Sequence, residues 1–180
     1  MANRGIRALP LVAVIALLAV LVIPATATPA TSRGGTTLTS LESGVLQQLN
    51  QIRVQHGLVP LKLNASLTAA SAQHSKEMGV DGYFDHSSHD GTAFWKRIGH
   101  WYSQQGFHTW SVGENLLWSS PDVEPAAALR LWMHSPEHRA NILNARWREV
   151  GVSAIHLPVA FGTFNGLAVT IITTDFGFRH

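Results

Sequence analysis

Three side chains in this sequence have the types needed for a metal-binding or acid–base site. They are His86, Glu114 and His138, which lie in the segments FDHSS, GEN and SPEHRANIL. Two imidazoles and a carboxylate form the protein half of an open zinc site, in which water takes the remaining position. The same side chains also have simpler uses, because a buried histidine can hydrogen-bond to the backbone and a glutamate can cap a turn. From spacing alone, both interpretations stay open.

Other catalytic patterns in the chain are weaker. The segment from His134 to His138 matches H-x-x-E-H, a zinc-protease signature that requires one continuous helix. Pro136 lacks a backbone donor and disfavours helical geometry at the residue before it, so we expect the helix to break between the two histidines. The sequence has no Gly-x-Ser-x-Gly motif and no Gly-rich phosphate-binding loop, and a neighbouring Ser and His do not define a triad.

Composition excludes several classes of protein. Of the 180 residues, 46% are hydrophobic and 13% are charged, which is typical of one folded domain and not of a disordered chain. Because cysteine is absent, disulfides and thiolate sites are excluded. Without Arg4 and Arg7, the chain has 11 basic and 11 acidic residues, and this balance argues against a nucleic-acid partner.

The first 27 residues have the pattern of an export signal. Arg4 and Arg7 precede an apolar run of 13 residues, Leu11–Ile23, and the sequence Ala-Thr-Ala follows, ending at Ala27. The run is short for a membrane span, which needs about 20 residues. We therefore predict a signal peptide over 1–27 and a secreted or extracellular protein. The alternative is an uncleaved anchor, the one case in which we expect membrane attachment.

After a small, polar segment at 28–37, interpreted as a flexible linker, the folded domain is predicted over 38–178. Hydrophobic spacing and capping residues predict helices over about 40–56 and after Asn64, ending at Gly79 and Gly82. Further helices are predicted within 92–106, over 122–134 and from 135 to about 143, and an extended segment over 110–118. Alternating residues around 150–154 and 167–173 predict two strands, with a tight turn at Asn165-Gly166. Helices followed by a hairpin indicate an α+β domain with helices packed on a small sheet.

A series of segments then resembles the CAP superfamily of cysteine-rich secretory, antigen and pathogenesis-related proteins, also called the SCP domain. The similarity is to its cysteine-free exported bacterial members and covers about 45–178. Each segment is weak alone, and their order makes them specific. The segments are LNQIR (49–53), GLVPL (57–61), HSKEM (74–78), YFDH (83–86), GENL (113–116), WMHSPEHRANIL (132–143) and EVGV (149–152).

The resemblance implies a three-layer α-β-α sandwich with a small antiparallel sheet, and a central cleft built around two histidines and acidic residues. His86 and His138 match the cleft histidines, and Glu114 matches the acidic residue of the Gly-Glu-Asn motif. Many relatives carry another glutamate where this chain has Ser135, and Glu137 is offset by two residues. The acidic half of the implied cleft is therefore incomplete. Some relatives bind zinc in this cleft, others bind sterols or fatty acids in separate grooves, and no general catalytic activity defines the family.

These observations lead to one main hypothesis and two alternatives. The main one is an exported CAP/SCP binding module for a lipid, a cell-wall component or an extracellular protein. Its cleft of His86, Glu114 and His138 would hold Zn²⁺ or another divalent cation modestly, and less well below about pH 6.5, where free imidazole protonates. The alternatives are a metal-assisted hydrolase that uses the same residues and a structural interaction domain with a vestigial cleft. We expect binding rather than catalysis.

Overall fold

The structure, a computed structural model, describes residues 36–180. The predicted export signal and nearly all of the predicted linker lie outside these residues. The helices are α1 (Ser40–Gln55), α2 (Ala65–Asp81), α3 (Phe94–Trp101), α4 (Pro125–His134) and α5 (Pro136–Ile142), and the strands are β1 (Lys62–Leu63), β2 (Trp110–Ser119), β3 (Glu149–Ala160) and β4 (Leu167–Arg179). Within residues 36–180, no helix has both the length and the hydrophobicity that crossing a membrane requires.

The caps of the first two helices are those that the sequence predicts. At the start of α1, the Thr39 side chain accepts a hydrogen bond from the Glu42 backbone, and Glu42 accepts one from the Thr39 backbone. Asn64 caps α2 in the same manner, by accepting from the first backbone N–H groups of the helix. These bonds satisfy donors that have no partner inside the helix, and they therefore define where each helix begins.

One predicted helix boundary is wrong, and another is right only at the second of its two glycines. The helix α2 continues through Gly79 and ends only at the left-handed Gly82. A Cβ atom at Gly79 would lie 2.6 Å from Cδ1 of Leu157, so glycine at this position permits a close approach of α2 to β3. The helix predicted from Asp122 begins at Pro125. Proline suits the first turn of a helix, because backbone N–H groups there have no acceptor within the helix. As predicted, the chain breaks at Ser135 between α4 and α5, and this break separates His134 from His138.

The four strands form one sheet in the order β1-β3-β4-β2. The three long strands pair antiparallel, as predicted. A short 3-10 turn and the dipeptide Asn165-Gly166 join β3 to β4, and Asn165 and Gly166 each have a positive φ. Residues 110–118 are extended, as the sequence indicates, and belong to the edge strand β2. The sequence did not predict the two-residue β1, which pairs parallel with β3 and makes the sheet mixed.

Helices cover both faces of this sheet, which confirms the α-β-α sandwich. Neighbouring residues of β4 point to opposite faces: Ile172 belongs to the core beneath α1, α4 and α5, whereas Ile171 packs with Met78 of α2. A third cluster joins α2 to α3 through Leu67 and Ile98. Because side chains alternate along a strand, β4 supplies both cores. The edge strand β2 is then the place where groups from both helical layers can meet.

Candidate functional site

A cleft lies beside the edge strand β2, between the loop that follows α2 and the helix α5. We call it the β2 cleft. Its volume is about 500 Å³, and the aromatic residues Phe94 and Trp147 contribute to its apolar wall. All three sequence-predicted residues line it. The polar side chains of the lining are His86, Glu114, Asn115, Glu137, His138, Asn141 and Asn144.

Two side-chain amides attach α5 to β2 and thereby shape the cleft. Asn141 Nδ2 donates to the backbone carbonyl of Glu114 at 3.0 Å, and Asn115 Nδ2 donates to the carbonyl of His138 at 3.1 Å. The two amides also contact each other, with Asn141 Nδ2 3.0 Å from Asn115 Oδ1. Asn141 thus supplies a donor to a backbone carbonyl of the edge strand, and Asn115 supplies one to a backbone carbonyl of α5. His138 is consequently held at a defined distance from β2.

The centre of the site is an ion-pair chain around Glu114. One carboxylate oxygen lies 2.8 Å from Nδ1 of His86, and the other lies 2.5 Å from Nη2 of Arg97. The Glu114 side chain is only 1% exposed, whereas the His86 ring is 51% exposed. Arg97 also donates to the backbone carbonyl of His86 at 3.0 Å. A buried carboxylate must be paired, and Arg97 supplies that pair from α3 before any ligand arrives.

A second carboxyl group lies behind Glu114. Asp175 faces it across the β2–β4 pair and is fully buried. Ser71 donates to its Oδ2 at 2.9 Å, and Oδ1 has no hydrogen-bond partner within residues 36–180. Burial, together with the charge of Glu114, raises the pKa of Asp175 well above its usual value. Asp175 therefore holds a proton more readily than a free carboxyl group does, and its protonation would make a hydrogen-bond donor available beside Glu114.

The two cleft histidines have opposite electrostatic environments. The hydrogen bond to Glu114 raises the pKa of His86, with desolvation opposing it. Burial lowers the pKa of His138, and the charge of His86 lowers it further. His138 therefore gains a proton less readily than free imidazole does, and His86 gains one more readily. The ring of His138 makes no hydrogen bond to the residues that the structure describes.

The donor set fits a metal ion only in part. Both oxygens of Glu114 already accept from Arg97 and His86, and among the described residues no group of three or more His, Asp or Glu side chains is arranged to hold a metal ion. Nε2 of His86 and the ring of His138 remain. A histidine oriented by a carboxylate through its other nitrogen is the usual outer-shell arrangement around bound metals. Zinc binding by His86, Glu114 and His138 therefore stays a prediction, with Glu114 placed to orient His86.

Three residues of the site were not among the predicted ones. Arg97 is the ion-pair partner of Glu114, and Asp175 lies behind Glu114. Asn141 attaches α5 to β2. For Arg97 and Asp175 a signal existed, because each is a charged residue directly beside apolar residues, Ile98 in α3 and Phe176 in β4, that are buried. Such positions rarely hold an unpaired charge. The sequence could not show which partner each would have.

Comparisons with known proteins agree with this architecture. The model of the cysteine-rich secretory protein family, CAP, matches residues 46–159. The uncharacterized protein YkwD of Bacillus subtilis (strain 168) is 31% identical over 137 residues, which are 73% of this chain and 50% of YkwD. The chain thus spans about half the length of that relative.

Two solved structures are similar in fold. An outer surface protein from Borrelia burgdorferi superposes with a TM-score of 0.58 at 20% identity, over 76% of this chain and 90% of that one. An extracellular protein containing an SCP domain from Bacillus anthracis str. Ames superposes with a TM-score of 0.55 at 27% identity, over 79% of this chain and 44% of that one. The order of the helices and strands and the family match together show that the chain belongs to the CAP family of cysteine-rich secretory proteins.

Proposed function

We propose that this protein is an exported CAP domain that binds a hydrophilic ligand, such as a cell-wall fragment, in the β2 cleft. The observation that carries the proposal is the cleft itself, a space of about 500 Å³ with polar side chains held on fixed elements. Ligand sites of small molecules have volumes of about 300–1,000 Å³ and a few convergent polar groups. Export is supported by the predicted signal over 1–27.

The lining favours a hydrophilic ligand over a lipid. The side chains of Glu137, His138 and Asn144 offer hydrogen-bonding groups, while Trp147 and Phe94 add flat apolar surface. Amides and carboxylates next to aromatic rings can hydrogen-bond to hydroxyl groups and pack against the apolar face of a sugar. A fatty-acid chain would leave these polar groups without partners, and unpaired buried polar groups are costly.

The arrangement of Glu114 speaks against the hydrolase alternative. A general base needs an oxygen that can accept a proton from water, and both oxygens of Glu114 are engaged with Arg97 and His86. A divalent cation at His86 and His138 would add a Lewis acid to the cleft, and it is not required for the binding proposed here.

Binding is tested by calorimetric titration of the protein with soluble wall fragments, fatty acid and zinc. We expect wall fragments to bind and His138→Ala to weaken that binding about tenfold or more, since a lost hydrogen bond to a neutral partner costs about 1.5 kcal/mol. The control is His108→Ala, an exposed histidine outside the cleft lining. Binding of fatty acid alone, or equal affinity in both variants, would contradict the proposal.

The predicted binding of zinc is tested separately in the same titration. We expect weak one-to-one binding at pH 7.5 that falls at pH 5.5, because the raised pKa of His86 keeps that imidazole protonated in acid. The double variant His86→Ala/His138→Ala should bind no zinc and keep its fold. Unchanged zinc affinity in that variant would exclude the cleft histidines as ligands and leave the proposal for wall fragments intact.

A further inference from the structure

A second cavity, away from the β2 cleft, lies where the first residues of β1 and β3 meet the end of β4. Its volume is about 550 Å³, and we call it the basic cavity. Lys62, Arg148 and Arg179 line it together with one carboxylate, Glu149. The three cations come from three separate parts of the chain. A chain whose charges otherwise nearly balance thus collects a local excess of positive charge here.

The carboxylate of Glu149 accepts hydrogen bonds from two neutral side chains. Tyr102 donates its hydroxyl to Oε2 of Glu149 at 2.5 Å, and Asn64 donates to Oε1 at 2.7 Å. Arg179 approaches only to 3.9 Å. Within residues 36–180, neither Lys62 nor Arg148 takes part in an ion pair. Glu149 therefore cancels one of three positive charges and leaves a formal excess of two.

Two of the cations are held in place before any ligand binds. Nη1 of Arg148 donates to three backbone carbonyls at 2.8–3.1 Å, which leaves its Nε and Nη2 without a hydrogen-bond partner among the described residues. The guanidinium of Arg179 lies over two aromatic rings, 4.0 Å from the centre of Tyr102 and 4.7 Å from that of Phe107. Stacking uses the face of a guanidinium and leaves its edge for hydrogen bonds. Nη1 of Arg179 already donates to the carbonyl of Ser103 at 3.4 Å, and its Nε and Nη2 make no hydrogen bond to the described residues.

A fourth cation lies behind the wall of this cavity. Arg53 is fully buried, and its Nε donates to the carbonyl of Val59, a lining residue. Its Nη2 has no hydrogen-bond partner within the described residues. Burial lowers the pKa of Arg53, and the nearby charge of Arg148 lowers it further. Repulsion between these two cations is relieved when an anion enters the cavity.

We propose that the basic cavity binds the phosphate group of a small phosphate-bearing ligand. A phosphate monoester carries about −1.5 to −2 charges at pH 7, which matches the formal excess in the cavity. Two guanidinium forks and an ammonium group suit three phosphate oxygens. Val59, Pro60 and the exposed ring of Phe107 supply an apolar wall for the rest of the ligand. The site is independent of the β2 cleft and of the function proposed for it.

The test is titration of the full chain, in buffer free of phosphate, with inorganic phosphate and with glycerol 3-phosphate. Binding is followed by calorimetry and by the NMR signals of the arginine side chains. We expect saturable binding that moves the signals of Arg148 and Arg179. Acetate, with a single charge and two oxygens, should compete about tenfold less well. Absence of saturable binding, or equal competition by acetate, would overturn the proposal.

Charge-removing variants locate the site. We expect Lys62→Gln to weaken phosphate binding about threefold to tenfold, and Arg148→Gln to weaken it more, with partial recovery in Arg148→Lys. Lys62 is exposed and its side chain makes no hydrogen bond to the described residues, so its replacement leaves the fold intact. The matched control is Lys76→Gln, an exposed lysine of α2 outside this cavity. Equal affinity in Lys62→Gln and Lys76→Gln would overturn the assignment.

One further experiment distinguishes a lipid headgroup from a free phosphate-bearing ligand. Sedimentation of the protein with vesicles that contain phosphatidic acid, a lipid with a phosphate monoester headgroup, is measured with and without excess glycerol 3-phosphate and compares a lipid headgroup with a free ligand. Vesicle binding that glycerol 3-phosphate displaces supports the site and assigns a headgroup as one of its ligands. Vesicle binding that neither glycerol 3-phosphate nor Lys62→Gln reduces would place the membrane contact outside the basic cavity and exclude a lipid headgroup as its ligand.

Discussion

The β2 cleft and the basic cavity differ in whether their charged side chains have partners of opposite charge. In the cleft, Glu114 is 1% exposed and lies between Arg97 and His86. In the basic cavity, Lys62 and Arg148 stay close to water and have no acidic partner among the described residues. One region neutralises its charge within the protein, and the other keeps its charge available to an anion.

Burial explains this difference. A charge taken out of water loses several kcal/mol of hydration and must be compensated inside the protein. A charge at the surface keeps its water and needs no such partner, but it must still be held in position if it is to bind an anion selectively. In the basic cavity, backbone carbonyls and aromatic rings hold the arginines. The comparison predicts that removal of a cation costs stability in the cleft and affinity in the basic cavity.

The largest effect is expected for Arg97→Gln. This change leaves Glu114 buried without its cation beside the buried Asp175, and loss of one partner from a buried pair costs about 3–5 kcal/mol in the free energy of unfolding. Urea unfolding measures this quantity. The control, Arg130→Gln at an exposed position of α4, should change it by less than about 0.5 kcal/mol. A loss below about 1 kcal/mol at Arg97 would show that the buried pair is not needed.

An intermediate effect is expected from His74, the buried histidine of α2 close to the cleft. Its Nε2 lies 2.9 Å from the carbonyl of Asp85. Burial lowers its pKa below the usual 6.5, the charge of Glu114 opposes this shift, and the charge of Arg97 adds to it. The unfolded chain then binds a proton more readily than the folded chain. Stability should fall as the pH drops below about 6.5, by up to about 1.4 kcal/mol per pH unit.

Thermal unfolding between pH 5 and pH 8 measures the contribution of His74. The variant His74→Gln keeps a side-chain donor and has no imidazole, so its stability should depend less on pH in this range. Among the described residues no histidine lines the basic cavity, and Lys62→Gln should therefore keep the wild-type dependence. An equal acid response in His74→Gln and wild type would assign the effect to another group.

The smallest effect is expected for Glu149→Gln in the basic cavity. Removal of its negative charge raises the positive excess, so phosphate should bind about twofold to fivefold more tightly. Glutamine keeps an acceptor for Tyr102 or Asn64. Glu137→Gln, in the lining of the β2 cleft, is the matched control and should leave phosphate affinity unchanged. Weaker phosphate binding in Glu149→Gln would show that the carboxylate helps binding more, by holding the cavity in order, than it hinders binding by repelling the anion.

Much of the fold could be predicted from local sequence. The capping box at Thr39, the cap at Asn64 and the break at Ser135 each depend on bonds between residues a few positions apart. Boundaries failed where distant contacts decided them, as at Gly79, where the approach of β3 lets α2 continue. The two-residue β1 escaped prediction because a pair of residues carries no periodic pattern.

The candidate site could be predicted less completely. The resemblance to the family indicated His86, Glu114 and His138, and all three line one cleft. Their chemistry could not be predicted, because it depends on Arg97, which reaches Glu114 across 17 residues of sequence. That contact engages one oxygen of Glu114, and His86 engages the other.

By itself, the sequence determined the starts of α1, α2 and α5, the alternation of the long strands and the list of residue types available for chemistry. Short-range hydrogen bonds and side-chain periodicity are local properties, and each is complete within a few residues. Only the tertiary structure decided which charges are paired and which are free. Lys62, Arg148 and Arg179 become one basic cavity because the sheet brings β1, β3 and β4 together. Charge pairing depends on distance in space and on burial, and both are set by the path of the whole chain.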